Sequence, residues 1–218
     1  ADIAVAHVTD TIHYTRAAAI SDNPGYAASD AKELKAMEDH EVWETVPITS
    51  LTDEERKNLC RAHMLRYPKF SGELNGERQV EKLKSRLVFD GRSQSVSQCG
   101  EWTASNTPRQ STCMMHFGMA PLCKNEVFMS TDISTAFLRA PQQTADGSRC
   151  IMRMPRDIAT FTTDGGKLTE NVHVLKRSLY GQRQSSLAYE KLFVTWACDD
   201  PNGPQFQRST VDPCVFYS

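Results

Sequence analysis

Apolar positions along this chain change period several times, and each change marks an element. In residues 31–39, good helix formers carry Leu34 and Met37 three apart on one narrow face, which predicts a helix. Asp30 stands just before it with Glu33 three residues on, the pattern of a capping box. Residues 42–46 read as a strand stopped by Pro47, and Thr52 with Glu55 is a second capping box opening a short helix to about residue 59. Two strand-like runs follow, residues 61–70 and 79–89, joined by a Gly- and Asn-Gly-containing loop that predicts a hairpin. In the second run Lys82, Lys84 and Arg86 alternate with Leu83 and Leu87, so the three cations project from one face. That face is either simply solvated or a set of cations for phosphates.

Further along, residues 90–108 read as loop. Pro108 suits the first turn of a helix to about Met119, with Met114, Met115 and Phe117 as expected core filling. Residues 127–129 and 150–155 read as short strands. Thr163-Asp164-Gly165-Gly166 is a turn into a strand over 172–176, Gly181 breaks it, and a helix is predicted over 185–198. Residues 211–217 begin another strand. Strands and helices interleave without regular alternation and several strands are hairpin-linked, which predicts an α+β fold rather than a doubly wound sheet.

Composition narrows the function classes. The net charge of −2 excludes a uniformly basic nucleic-acid-binding surface but not a local basic groove. No apolar run approaches the ~20 residues of a membrane span. The seven cysteines include no Cys-x-x-Cys pair, so reduced, mostly buried thiols in an intracellular protein are expected. Cys113-x-x-His116 is half of a zinc pattern, short of the four ligands a structural site needs. Gly-x-Gly-x-x-Gly, Walker, nucleophile-elbow and His-Glu-x-x-His motifs are absent, which removes support for hydride transfer, P-loop hydrolysis and triad or zincin chemistry.

The stretch with most chemical content is Asp132-Ile133-Ser134-Thr135-Ala136-Phe137-Leu138, after an apolar run at 127–129. A carboxylate where a strand enters a turn, with hydroxyls and an aromatic within five residues, suits a metal ion beside a ligand packed on Phe137. It equally suits a helix N-cap.

Several segments, in order, resemble the reverse transcriptase of copia-type LTR retrotransposons. Residues 31–38 with Trp43-Glu44-Thr45-Val46 resemble the opening of that domain. Lys84-Ser85-Arg86-Leu87-Val88 resembles its fingers strand, and residues 132–138 its Asp-Val-x-Thr-Ala-Phe-Leu catalytic motif. Ile151-Met152-x-x-Pro155, residues 175–181 with Gln184, and Asp212-Pro213-Cys214-Val215-Phe216 resemble later segments of the same domain. The chain departs from the pattern at Ser185-Ser186, at Phe89-Asp90-Gly91 and at Cys113-Met114.

The resemblance implies right-hand polymerase fingers and a partial palm over residues 30–218, preceded by a loosely ordered arm over 1–29. It implies RNA-directed DNA polymerase chemistry, in which two Mg²⁺ ions clamp the reacting oxygens. Asp132 would be a metal ligand with the Ile133 carbonyl. The amides of Thr135 and Ala136 would face the triphosphate, and Phe137 would exclude a 2′-hydroxyl. Lys84 or Arg86 would meet the triphosphate, and Gln184 the base and sugar. Implied partners are an RNA or DNA template with primer, deoxynucleoside triphosphates, and the integrase and RNase H of one DNA-integration polyprotein. The implied setting is a cytoplasmic virus-like particle or the nucleus. The family's Tyr-x-Asp-Asp turn would follow Tyr217, so the chain reads as a fragment expected to be inactive alone. The competing expectation is a decayed or non-catalytic nucleic-acid-binding or structural α+β domain.

Overall fold

The computed structural model describes residues 11–74, 77–101, 103–119, 132–164 and 166–218. The elements run α1 (Arg16–Asp22), α2 (Tyr26–Asp39), β1 (Trp43–Pro47), α3 (Asp53–Lys57), β2 (Cys60–Leu74) and β3 (Glu77–Phe89). They continue with α4 (Val96–Cys99), α5 (Gln110–Met119), α6 (Ala136–Arg139), β4 (Ile151–Arg153), β5 (Phe161–Asp164) and β6 (Lys167–Leu175). The last are α7 (Ser185–Val194), β7 (Gln207–Arg208) and β8 (Phe216–Tyr217). The expected α+β class holds. One mixed sheet has the order β1-β6-β4-β2-β3 with β5 on β6, and among the described residues only β2 and β4 pair in parallel.

The β2–β3 hairpin forms in the register its period-two pattern demands. Cys60, Ala62, Met64, Leu87 and Phe89 point into the core, which Met37, Leu138, Met152 and Leu179 complete. Burying such side chains stabilises the fold by roughly 1.5–3 kcal/mol each. The outer edge of β3 is covered by α2 rather than left as a pairing template. Ser29 Oγ donates to the Leu83 carbonyl at 3.2 Å, and the Leu87 amide donates to Glu33 Oε1 at 3.1 Å.

Those bonds correct the expected capping box. α2 begins at Tyr26, four residues before Asp30, so Asp30 and Glu33 lie inside it. Asp30 instead answers a cation on the core face of β2. Arg66 is 0% exposed, and its Nε donates to both Asp30 oxygens at 2.9 and 3.0 Å. Its Nη2 donates to Asp30 Oδ2 at 2.9 Å, and Ser85 Oγ donates to Oδ1 at 2.6 Å. A guanidinium at an inward strand position has to be paired, because an isolated buried charge is prohibitively costly. The segment from residue 11 to the start of α2 also contacts this region. His13 and Arg66 exchange backbone bonds at 2.8 and 3.1 Å, and Ala19 is buried.

The Thr52 capping box forms as expected, with Glu55 donor and acceptor bonds on both sides. β1 ends at Pro47 as expected, with Pro47 opposite Asn171. Other elements differ. β6 starts at Lys167 and forms a hairpin with β5. Of the strand expected over 211–217, only residues 216–217 pair. Met114, Met115 and Phe117 were expected in the core but are all more than half exposed, because α5 buries none of its residues. The strand expected at 127–129 lies outside the described residues.

Candidate functional site

The candidate site is held by the segment that joins β6 to α7. Past β6 the chain pairs Ser178 with Ala140, through a 2.9 Å bond from the Ser178 amide, which fixes α6 beside it. It then reaches β3, where the Phe89 amide donates to the Tyr180 carbonyl at 2.7 Å. Here the sequence requires glycine twice. Gly181 has φ +90°, and a Cβ on it would lie 2.2 Å from the Phe89 carbonyl oxygen. A Cβ on Gly91 would lie 2.3 Å from the Gly181 carbonyl oxygen. The turn is locked further by Gln182 Oε1, which accepts from the Leu179 amide at 2.7 Å, and by Ser185 Oγ, which donates to the Leu179 carbonyl at 2.7 Å.

This path brings three aromatic rings and a cation into one stack. Phe137 of α6 meets Tyr180 edge-on at 5.3 Å and Tyr189 of α7 at 6.3 Å. Arg86 lies 4.2 Å over the Tyr180 ring, a cation–π contact. Lys84 and Arg86 share one face of β3, both half-buried, while Lys82 is exposed. Burial pushes the Lys84 ammonium pKa down, and neighbouring Arg86 and Lys82 push it the same way. Burial also raises the Tyr180 phenol; Arg86 opposes that shift, while Glu33 and Asp132 add to it. Tyr189 is raised by burial too, again with a contribution from Asp132. Asp132 thus acts electrostatically on both tyrosines that flank Phe137.

Asp132 and Ile133 are themselves exposed. No hydrogen bond or ion pair ties the Asp132 carboxylate to another described residue, so it caps no helix. The N-cap of α6 is Thr135, whose φ of 56° is a left-handed conformation that a β-branched residue rarely adopts. Its hydroxyl donates to the Ser134 carbonyl at 2.6 Å and lies 2.8 Å from His40 Nε2, so the ring nitrogen donates to it. The strain at Thr135 is therefore held from the far end of α2. The amides of Thr135 and Ala136 donate to no described residue.

A cavity of about 450 Å³ opens beside Phe137, lined also by Tyr189, Phe193, Phe216 and the Glu190–Arg208 ion pair. Gln184 is not part of this constellation. It lines a cavity of about 210 Å³ with Leu187, Ala188 and Lys191. At 100° per residue those positions lie on the side of α7 opposite Ser186, Tyr189, Glu190 and Phe193. A separate concave surface of about 590 Å³ lies where the end of β3 meets the turn before α7, lined by Gly91, Arg92, Gly181 and Arg183.

Among the described residues, no three His, Cys, Asp or Glu side chains converge to hold a metal ion. Cys113 and His116 remain half a pattern, with His116 Nδ1 against the Thr112 carbonyl at 2.9 Å. Tyr180, Tyr189 and His40 carried no expected role. The Tyr-Gly pair at 180–181 was the available signal for the first, whereas the other two are brought in only by the tertiary fold. No family model matches the chain, and no curated protein and no solved structure matches it.

Proposed function

We propose that this chain is the fingers and part of the palm of an RNA-directed DNA polymerase of the copia retrotransposon type, and that its own share of the work is to hold the incoming nucleotide. The observation that carries the reading is the assembly of Arg86, Tyr180, Phe137 and Tyr189 beside Asp132. These residues are up to 103 positions apart in sequence, from Arg86 to Tyr189. Between Lys84 and Arg86, the geometry favours Arg86 for the triphosphate, since it faces Tyr180 at the site. A guanidinium presents planar donors to phosphate oxygens. The free amides of Thr135 and Ala136 supply further donors, and Phe137, wedged by two tyrosines, is a rigid floor for a sugar without a 2′-hydroxyl. Arg92 and Arg183 with the two close glycines would accept a template backbone, whose phosphates need cations and room for close approach. Mg²⁺ would arrive on the triphosphate and meet Asp132, supplying charge neutralisation at the reacting phosphate.

Two measurements test this. Titration with dUTP and UTP should give tighter binding of the deoxynucleotide, and Phe137→Ala should reduce that preference several-fold with little loss of dUTP affinity. Equal binding of both nucleotides by the unsubstituted chain would overturn the reading. Primer extension by the chain with Mg²⁺ should yield no product, because one carboxylate among the described residues does not hold both ions. Asp132-dependent synthesis would contradict that.

A further inference from the structure

Two glutamines in the turn that leads into α7 are both buried, but only one is satisfied. Gln182 accepts from the Leu179 amide at 2.7 Å and donates to Cys150 Sγ at 3.4 Å. Gln184 is 7% exposed, and neither its amide nitrogen nor its amide oxygen has a partner. A buried amide with neither hydrogen bond made is destabilising, so the position is poorly explained as packing. Gln184 lines the 210 Å³ cavity on the side of α7 turned away from Phe137. A second cavity of about 240 Å³ shares Gln143, Ala188 and Lys191 with it and continues to Leu192, Thr195 and Pro141. The two form one groove between α7 and the loop after α6. Gln184 and Thr195 are eleven positions apart, about 16 Å along the helix at 1.5 Å per residue.

We propose that this groove binds an extended peptide of about five residues carrying one acidic side chain. The length fits, since an extended chain spans ~3.3 Å per residue. In an extended segment, the N–H and C=O of one residue point the same way, and a primary amide can satisfy both at once. Gln184 offers such an amide, with Gln143 at the rim. Lys191 lies two helical turns on, about 10 Å along the axis. It has no ion pair among the described residues, and an acidic side chain three residues beyond the one paired with Gln184 would reach it. The far lobe, with Pro141 and Leu192, takes an apolar side chain. One cation in the groove makes a poor track for a nucleic-acid backbone, which presents a charge at every nucleotide. The site shares no lining residue with the Phe137 cavity and stands independently of the polymerase reading.

A positional-scanning array of immobilised pentapeptides, probed with the 218-residue chain, tests the proposal. The expected profile selects Asp or Glu at one position beside an apolar residue. Lys191→Glu, at an exposed position, should reverse that selection to Lys or Arg. Gln184→Leu should lower affinity for the selected peptides about tenfold while keeping the charge preference, with thermal unfolding confirming that each variant is folded. No selected profile, or a profile unmoved by Lys191→Glu, would overturn the proposal. So would Lys191-dependent binding of oligo(dT) in place of peptide.

Discussion

Two aspartates, Asp30 and Asp132, stand in similar local sequence, each just before residues that read as a helix, and the fold uses them in opposite ways. Asp30 is 3% exposed and takes bonds from Arg66 and Ser85. Its charge is spent on the cation that β2 turns inward, and the pair joins α2 to the hairpin. Asp132 is exposed, and no described residue neutralises it. Around Asp132 lie what a ligand could use: an arginine held over a tyrosine, an aromatic floor and free backbone amides. A satisfied carboxylate is structure, and an unsatisfied one beside such groups is a candidate for chemistry.

The comparison breaks first on stability. Asp30→Ala removes the three shortest bonds to the buried Arg66, leaving it Asp157 at 3.3 Å, and should cost about 3 kcal/mol of unfolding free energy, read from urea denaturation. Asp132→Asn should change the unfolding free energy by less than about 0.5 kcal/mol. A costly Asp132 variant, or a harmless Asp30 variant, would remove the contrast.

A second buried polar group sharpens it. Burial pushes His173 down from its ordinary value to about 4, with Nδ1 at 3.1 Å from Thr45 Oγ1 and Trp43 edge-on. The unfolded chain takes up that proton near pH 6.5 and the folded chain only near pH 4. Stability from this group is therefore complete above pH 6.5 and is lost as pH falls to 4, up to about 3 kcal/mol. His173→Gln should flatten the pH dependence of the unfolding free energy in that window.

Next in size is the turn that carries the site. Gly181→Ala puts a Cβ into the Phe89 carbonyl at a left-handed φ and should cost about 2 kcal/mol or more. Because that turn carries Tyr180, the same variant should also weaken nucleotide binding, whereas Thr52→Ala, remote from the site, should lose about 1 kcal/mol of stability alone.

How much of this was legible depended on range. The Thr52 capping box was readable because all its bonds fall within four residues. The β2–β3 register was readable because period two fixes which side chains face inward. Asp30 was misread because its local pattern is that of a cap, and the group that claims it, Arg66, is 36 residues away. Met114 and Met115 were misread because apolar content does not say whether a helix face will be covered. At the site, the residues carried by the resemblance were named, but their grouping was not. Arg86 was separated from Lys84 only by the position of Tyr180, and Gln184 was parted from Phe137 by the phase of α7, which no motif encodes.

The central claim is that Asp132 is a ligand for nucleotide-bound Mg²⁺ rather than a structural carboxylate. Calorimetric titration with dTTP, with and without Mg²⁺, tests it directly on the chain and on Asp132→Asn. With Mg²⁺ the variant should bind about tenfold more weakly. Without Mg²⁺ it should bind at least as tightly as the unsubstituted chain, because a negative charge facing the triphosphate has been removed. The same affinity for chain and variant under both conditions would contradict the account.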